Sequence, residues 1–98
     1  MENNNIGDLV KAEYFYFNNT GSVAAGTTVT FSKQITVPSG YKALGIIPQY
    51  SGDDGFCWVS VQLNSNSDGL YASGMIRNVT SAADSGTPTA TLLFIRNL

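Results

Sequence analysis

The chain has 98 residues, with five Lys plus Arg against seven Asp plus Glu, no His, and a formal net charge of -2. That length supports one hydrophobic core rather than two, and charged residues make up only 12% where about 25% is ordinary. Five scattered cations cannot neutralise a run of phosphates, which argues against a nucleic-acid partner, and the lack of His removes Ser-His-Asp and Cys-His nucleophilic catalysis together with the usual zinc sites.

Hydrophobic residues reach 43%, enough for a core, while Asn, Ser, Thr and Gly together supply 38 of the 98 positions. The surface is therefore expected to be neutral and polar. A surface that does not rely on charge for solubility suits a chain packed into an assembly; an ordinary extracellular domain is the alternative. Cys57 is alone and flanked by Phe56 and Trp58, which reads as a packed thiol in a buried strand and leaves no intramolecular disulfide. Residues 1–9 read as a flexible lead-in to a single domain spanning 1–98. Neither a basic-then-apolar leader nor a run of about 18 apolar residues occurs, so no signal peptide and no membrane insertion are expected.

Taken in chain order, Lys11 to Phe17 is aromatic and β-prone, and Asn18-Asn19-Thr20-Gly21 supplies turn chemistry after it. Thr27 to Val37 alternates, with Val29, Phe31, Ile35 and Val37 apolar and Thr28, Thr30, Ser32, Gln34 and Thr36 polar, the signature of a half-buried strand. Lys33 sits on the apolar side and marks a bulge or a sheet edge. Pro38-Ser39-Gly40 breaks the pattern. Tyr41 to Ile47 starts another strand that stops, or lies at an edge, near Pro48. After the loop Ser51-Gly52-Asp53-Asp54-Gly55, Phe56 to Leu63 alternates with Cys57, Val59, Val61 and Leu63 on one side. Asn64 to Gly69 reads as a polar loop, Leu70 to Val79 as a strand, Thr80 to Thr87 as a longer connection and Thr89 to Asn97 as the last strand. No segment carries a helical apolar period. Six short strands at roughly 8 to 12 residue spacing define an all-β chain, an antiparallel β-sandwich of jelly-roll-like form with no substantial helix.

Few residues offer chemistry. Asn64 to Gly69 resembles the start of a calcium loop, but its twelfth position is Met75 where a bidentate Glu is required, so the segment reads as a hairpin turn and no metal is expected. Asp53 and Asp54 are adjacent, whereas a glycosidase needs its two carboxylates on opposite sides of the scissile bond, about 5 to 9.5 Å apart. An enzyme would have to combine one of them with a distant carboxylate such as Glu13 or Asp84, so no catalytic residue and no cofactor are assigned. Tyr50 and Trp58 bracket the acidic loop, which makes Tyr50, Asp53, Asp54 and Trp58 the candidate ligand-binding group, the rings stacking on sugar and the carboxylates receiving hydroxyls. Tyr14, Phe15, Tyr16 and Phe17 place an aromatic pair on each face of the first strand. A domain this small has difficulty burying both pairs, so the four are candidates for an oligomer interface.

The run Val37-Pro38-Ser39-Gly40-Tyr41-Lys42-Ala43-Leu44-Gly45-Ile46-Ile47, then Arg77-Asn78-Val79-Thr80, and finally Thr91-Leu92-Leu93-Phe94-Ile95-Arg96-Asn97 resembles the small C-terminal β-modules of tail-fibre and baseplate-associated proteins of phages and prophages. The resemblance covers Ala25 to Leu98. It implies a virion component, usually a homotrimer, that attaches to host-surface saccharide, and it transfers no binding residues. Fibre shaft, coiled-coil heptads and collagen-like repeats are all missing. A monomeric carbohydrate-binding module of a secreted bacterial protein stays open beside it, which makes the expected location the virion or the extracellular space.

Overall fold

The computed structural model describes residues 9–98, so the expected lead-in falls, but for its last residue, outside the described residues. The six expected strands all form: β1 Val10–Tyr16, β2 Thr28–Gln34, β3 Tyr41–Pro48, β4 Phe56–Asn66, β5 Gly69–Asn78 and β6 Thr89–Arg96. They build two antiparallel three-stranded sheets, ordered β1-β6-β3 and β2-β5-β4. Strand pairs nest, β1 with β6 and β2 with β5, while β3 and β4 touch across the layers. That is a long antiparallel ribbon wound back on itself, the jelly-roll principle carried out with six strands.

The period-two pattern decides what faces inward. Phe31 of β2, Ala72 and Ile76 of β5, and Ala90, Leu92 and Phe94 of β6 meet between the sheets with Phe17 and Ile35, which follow β1 and β2. Fully burying a side chain of this size stabilises by about 1.5–3 kcal/mol, so this interior supplies the main driving force. Gly74 of β5 is required here, because a Cβ on it would overlap the Phe31 ring and press on Trp58. Lys33 keeps its place on the inner side of β2 because β2 is an edge strand. Its stem lies along the interior while its ammonium donates to the Tyr16 carbonyl oxygen at 2.8 Å and sits 5.5 Å from the Phe15 ring centroid, the usual escape of a long cation from an apolar surface.

The structure corrects the expected phase of β4. The register shifts between Trp58 and Ser60, a bulge that leaves Val59 without a partner and reverses the alternation behind it. Phe56 and Trp58 point inward before the bulge and Val61 and Leu63 after it, whereas Cys57 and Val59 are exposed. Cys57 is therefore a surface thiol and not a core residue. A second bulge between Ala43 and Gly45 leaves the outward Leu44 unpaired and brings Ile46 to the inner face of β3. Asn64 to Asn66, expected as loop, continue β4 and pair with Tyr71 to Gly69. Pairing overrides their weak strand preference, and the turn shrinks to Ser67-Asp68, where the Asp68 N–H donates to Asn66 Oδ1 at 2.8 Å.

Candidate functional site

The loop expected to hold the ligand-binding group is tied down mainly by its own backbone. Gln49 and Tyr50 pair with Thr89, and the buried Ser51 hydroxyl donates to the Phe56 carbonyl oxygen at 2.7 Å. Asp53 turns inward on the loop: its Oδ2 accepts the Gly55 N–H at 2.8 Å, the local bond that makes Asp a turn residue. Trp58 packs against Phe17 and Phe31, with centroids 6.2 and 5.9 Å away, and its indole N–H donates to the Gln49 carbonyl oxygen at 3.0 Å. Its ring is thus part of the interior packing. Only Tyr50 and Asp54 come together at the surface, the phenol donating to Asp54 Oδ1 at 3.0 Å.

That hydrogen bond to Asp54, assisted by desolvation and by the negative charge of Asp54, Asp53 and Asp84, holds the Tyr50 phenol above its ordinary value of 10.0. A carboxylate favours the protonated donor and opposes a second negative charge. The linked stability is therefore present below the ordinary phenol pKa and fades as pH rises through the higher folded-state value. An ultraviolet titration should find one tyrosine ionising late. In Asp54→Asn the same tyrosine should return toward the ordinary value.

The two outer faces of the sandwich differ sharply. On the β1-β6-β3 sheet, Val10, Tyr14, Tyr16, Leu44 and Ile47 are exposed at 38, 57, 58, 55 and 45%. Leu93 and Ile95 lie half-buried between them on the central strand. Of the four aromatic residues considered for an interface, Tyr14 and Tyr16 lie on this face. Phe17 is 2% exposed and stacks edge-on with Phe15, 5.2 Å away, so this pair belongs to the interior.

The outer face of the β2-β5-β4 sheet is uncharged and polar along its middle, and it holds a cleft of about 480 Å³. Thr30 and Ser32 of β2, Ser73 of β5, and Ser60, Gln62 and Asn64 of β4 line it, with the Met75 thioether at one side. Alternation puts all of these on one face, but the β4 residues reach it only because the bulge at Val59 shifts Ser60, Gln62 and Asn64 outward. Asn64 Nδ2 donates to Ser73 Oγ at 2.7 Å, and Ser73 Oγ lies 3.4 Å from Ser32 Oγ. No ionisable group lines the cleft. Tyr71 is the next outward residue of β5 beyond Ser73, half-buried and paired with Gln34 and Asn64. The alternation of the sequence showed the polar row of β2 and set Ser60 and Gln62 opposite the apolar Val61 and Leu63 of β4, but it gave no sign that Asn64 continues that row or that the two rows line one cleft.

Among the described residues no three His, Cys, Asp or Glu side chains come together in a way that would hold a metal ion. Comparison of the chain with protein-family models, with curated proteins and with solved structures returns no match.

Proposed function

We propose that the chain is a non-enzymatic module of a phage virion, of the tail-fibre or baseplate kind, that works in several identical copies, three being favoured, and attaches to a host-surface saccharide. The observation that carries this reading is the cleft on the β2-β5-β4 sheet, a cavity of about 480 Å³ lined by hydroxyls, carboxamides and one thioether. Pockets of roughly 300–1,000 Å³ accept small organic ligands. Uncharged donors and acceptors around an apolar patch match a neutral pyranose, whose ring carries hydroxyls at its rim and C–H groups on its faces. Thr30, Ser60 and Gln62 have no side-chain hydrogen bond to the rest of the described chain and are free to bond sugar hydroxyls.

The resemblance of the Val37 to Ile47, Arg77 to Thr80 and Thr91 to Asn97 segments to phage tail modules supports the virion setting. Multivalent attachment fits a shallow site, since weak single contacts gain strength when linked copies raise the effective concentration for one another. A monomeric carbohydrate-binding module would lack the Trp58 platform and rely on Tyr50 alone.

The test is binding to a panel of neutral di- and trisaccharides of glucose, galactose, rhamnose and N-acetylglucosamine, with a sialylated trisaccharide as the charged comparison. Gln62→Ala and Ser73→Trp should each weaken the best neutral ligand by about tenfold or more, the second by filling the cleft from the middle strand. Unchanged binding in both variants, or loss of binding only in Tyr50→Ala, would refute the cleft as the site.

A further inference from the structure

From the outer face of the β1-β6-β3 sheet we infer that this surface is where copies of the chain meet. Five large apolar side chains, Val10, Tyr14, Tyr16, Leu44 and Ile47, project from it at 38 to 58% exposure, and Leu93 and Ile95 fill the middle row. Soluble monomers seldom display a contiguous apolar patch beyond about 300–600 Å². Aromatic side chains carry about 150–250 Å² each, so the exposed parts of Tyr14 and Tyr16 alone supply roughly 230 Å². With Val10, Leu44, Ile47 and the half-buried middle row, the face offers roughly 600 Å² per copy. Two such faces together reach about 1,200 Å², the lower end of the range for specific interfaces.

Charge selects the occupant. Lys42, paired with Ile95, is the single Lys, Arg, Asp or Glu among the outward positions of this sheet between Val10 and Tyr16, Lys42 and Ile47, and Thr91 and Ile95. An anionic membrane surface calls for a cluster of Lys and Arg that the face lacks, and a charged protein partner would lose solvation against it without compensation. A second copy offers the matching surface, equally apolar and carrying only Lys42 as a charge, and association of identical patches is self-complementary. The opposite arrangement, with copies meeting through the β2-β5-β4 faces, would bury the Ser, Thr, Asn and Gln side chains of the cleft and close it. Meeting through the apolar face instead leaves each cleft pointing away from its neighbours.

This inference rests on the multi-copy part of the reading above and is independent of whether the cleft takes sugar. Its test is solution mass by sedimentation velocity or light scattering, over a hundredfold range of concentration that brackets the roughly micromolar dissociation expected of so small a contact. The chain should pass from 10.4 kDa to two or three times that mass. Tyr16→Glu and Ile47→Glu, both outward on β1 and β3, should each remain monomeric throughout with unchanged circular dichroism. Val59→Glu, equally exposed but on the opposite sheet, should associate as the parent chain does. A parent chain that stays monomeric at every concentration overturns the inference. So does an oligomer that Val59→Glu dissociates and Tyr16→Glu does not, and so does binding of the monomer to anionic phospholipid vesicles that Ile47→Glu abolishes. Loss of sugar binding with self-association intact would refute the cleft and leave this interface standing.

Discussion

Replacing Gly86 with alanine is expected to lower stability by roughly 3 kcal/mol or more, enough to unfold a large fraction of a domain whose total stability is of order 5–15 kcal/mol. Gly86 lies where the β5-to-β6 connection crosses the loop between β3 and β4, and a Cβ there would overlap the Gly52 carbonyl group. Both partners are backbone. No rotamer change relieves the contact, and moving either segment breaks what holds it: the Thr20 N–H bond to the Gly86 carbonyl at 2.8 Å on one side, the Ser51 and Thr89 bonds on the other. Gly52 is itself held at φ +108° with the Gly86, Thr87 and Pro88 backbone 3.1 Å from its absent Cβ, so the crossing needs glycine on both strands of chain. Gly45→Ala meets nothing within 4 Å and should change stability by less than about 0.5 kcal/mol. Urea unfolding of the two variants side by side checks the contrast.

Asn78→Ala carries the second large expected loss, about 3–5 kcal/mol. The side chain is fully buried and all four of its bonding positions are taken: Nδ2 donates to the Val23 and Ala82 carbonyls at 2.9 Å each, and Oδ1 accepts the Thr80 N–H at 3.0 Å and the Thr80 hydroxyl at 2.7 Å. A carboxamide has two donors and two acceptor lone pairs, so the site is saturated. Truncation removes all four bonds and leaves a cavity: the Val23 carbonyl keeps only the Asp84 N–H at 3.1 Å and the Thr80 N–H loses its acceptor, and each polar group left short of a partner costs about 1–3 kcal/mol. The long connection would lose its anchor to the segment that carries the Val23–Asp84 bridge. Asn78→Asp should be nearly as harmful, because its carboxylate would face two carbonyl oxygens where the amide donates. Denaturant midpoints of the two variants, with a near-ultraviolet spectrum for tertiary packing, provide the check.

The strands were legible where alternation was unbroken. β2 shows it most clearly: Val29, Phe31 and Ile35 against Thr28, Thr30 and Ser32 fixed both the element and its inward face, and Lys33 announced the edge. β4 was located with its faces assigned correctly beyond the bulge, Val61 and Leu63 inward, and wrongly before it, where Cys57 and Val59 were set on the apolar side, because a bulge is one unpaired residue and Val59 carries no local mark that distinguishes it from its apolar neighbours. The exposure of Cys57 and Val59 stayed invisible for that reason, and the extension of the outward Ser60 and Gln62 row to Asn64, and so the cleft, was missed because Asn64 reads as loop. Asn78 entered the sequence reading only within the Arg77-Asn78-Val79-Thr80 segment of the resemblance, with no part in holding the fold. Its meaning depends on Val23 and Ala82, and only the folded chain brings Val23 to it.

The four residues of the expected ligand site are not brought together, for a related reason. Tyr50, Asp53, Asp54 and Trp58 are close in sequence, but Trp58 precedes the bulge and so falls on the inner face, while Asp53 spends its carboxylate on the Gly55 N–H. Proximity along the chain gave Tyr50 and Asp54 their hydrogen bond and nothing more. The aromatic strand divided as period two requires, Phe15 and Phe17 to the interior and Tyr14 and Tyr16 to the surface. Which face the core would claim was set by the sheet opposite, not by β1 itself.

The central claim is that the outward face of the β2-β5-β4 sheet is the one that meets the ligand. Amide chemical-shift mapping on the full chain, titrated with the best-binding neutral oligosaccharide of the panel, tests it most directly. The account predicts saturable shifts concentrated at Ser32, Ser60, Gln62, Asn64 and Ser73, with Tyr50 to Gly55 and the β1 strand unaffected. Shifts centred on Tyr50 and Asp54, or no saturable shift with any neutral sugar, would contradict it.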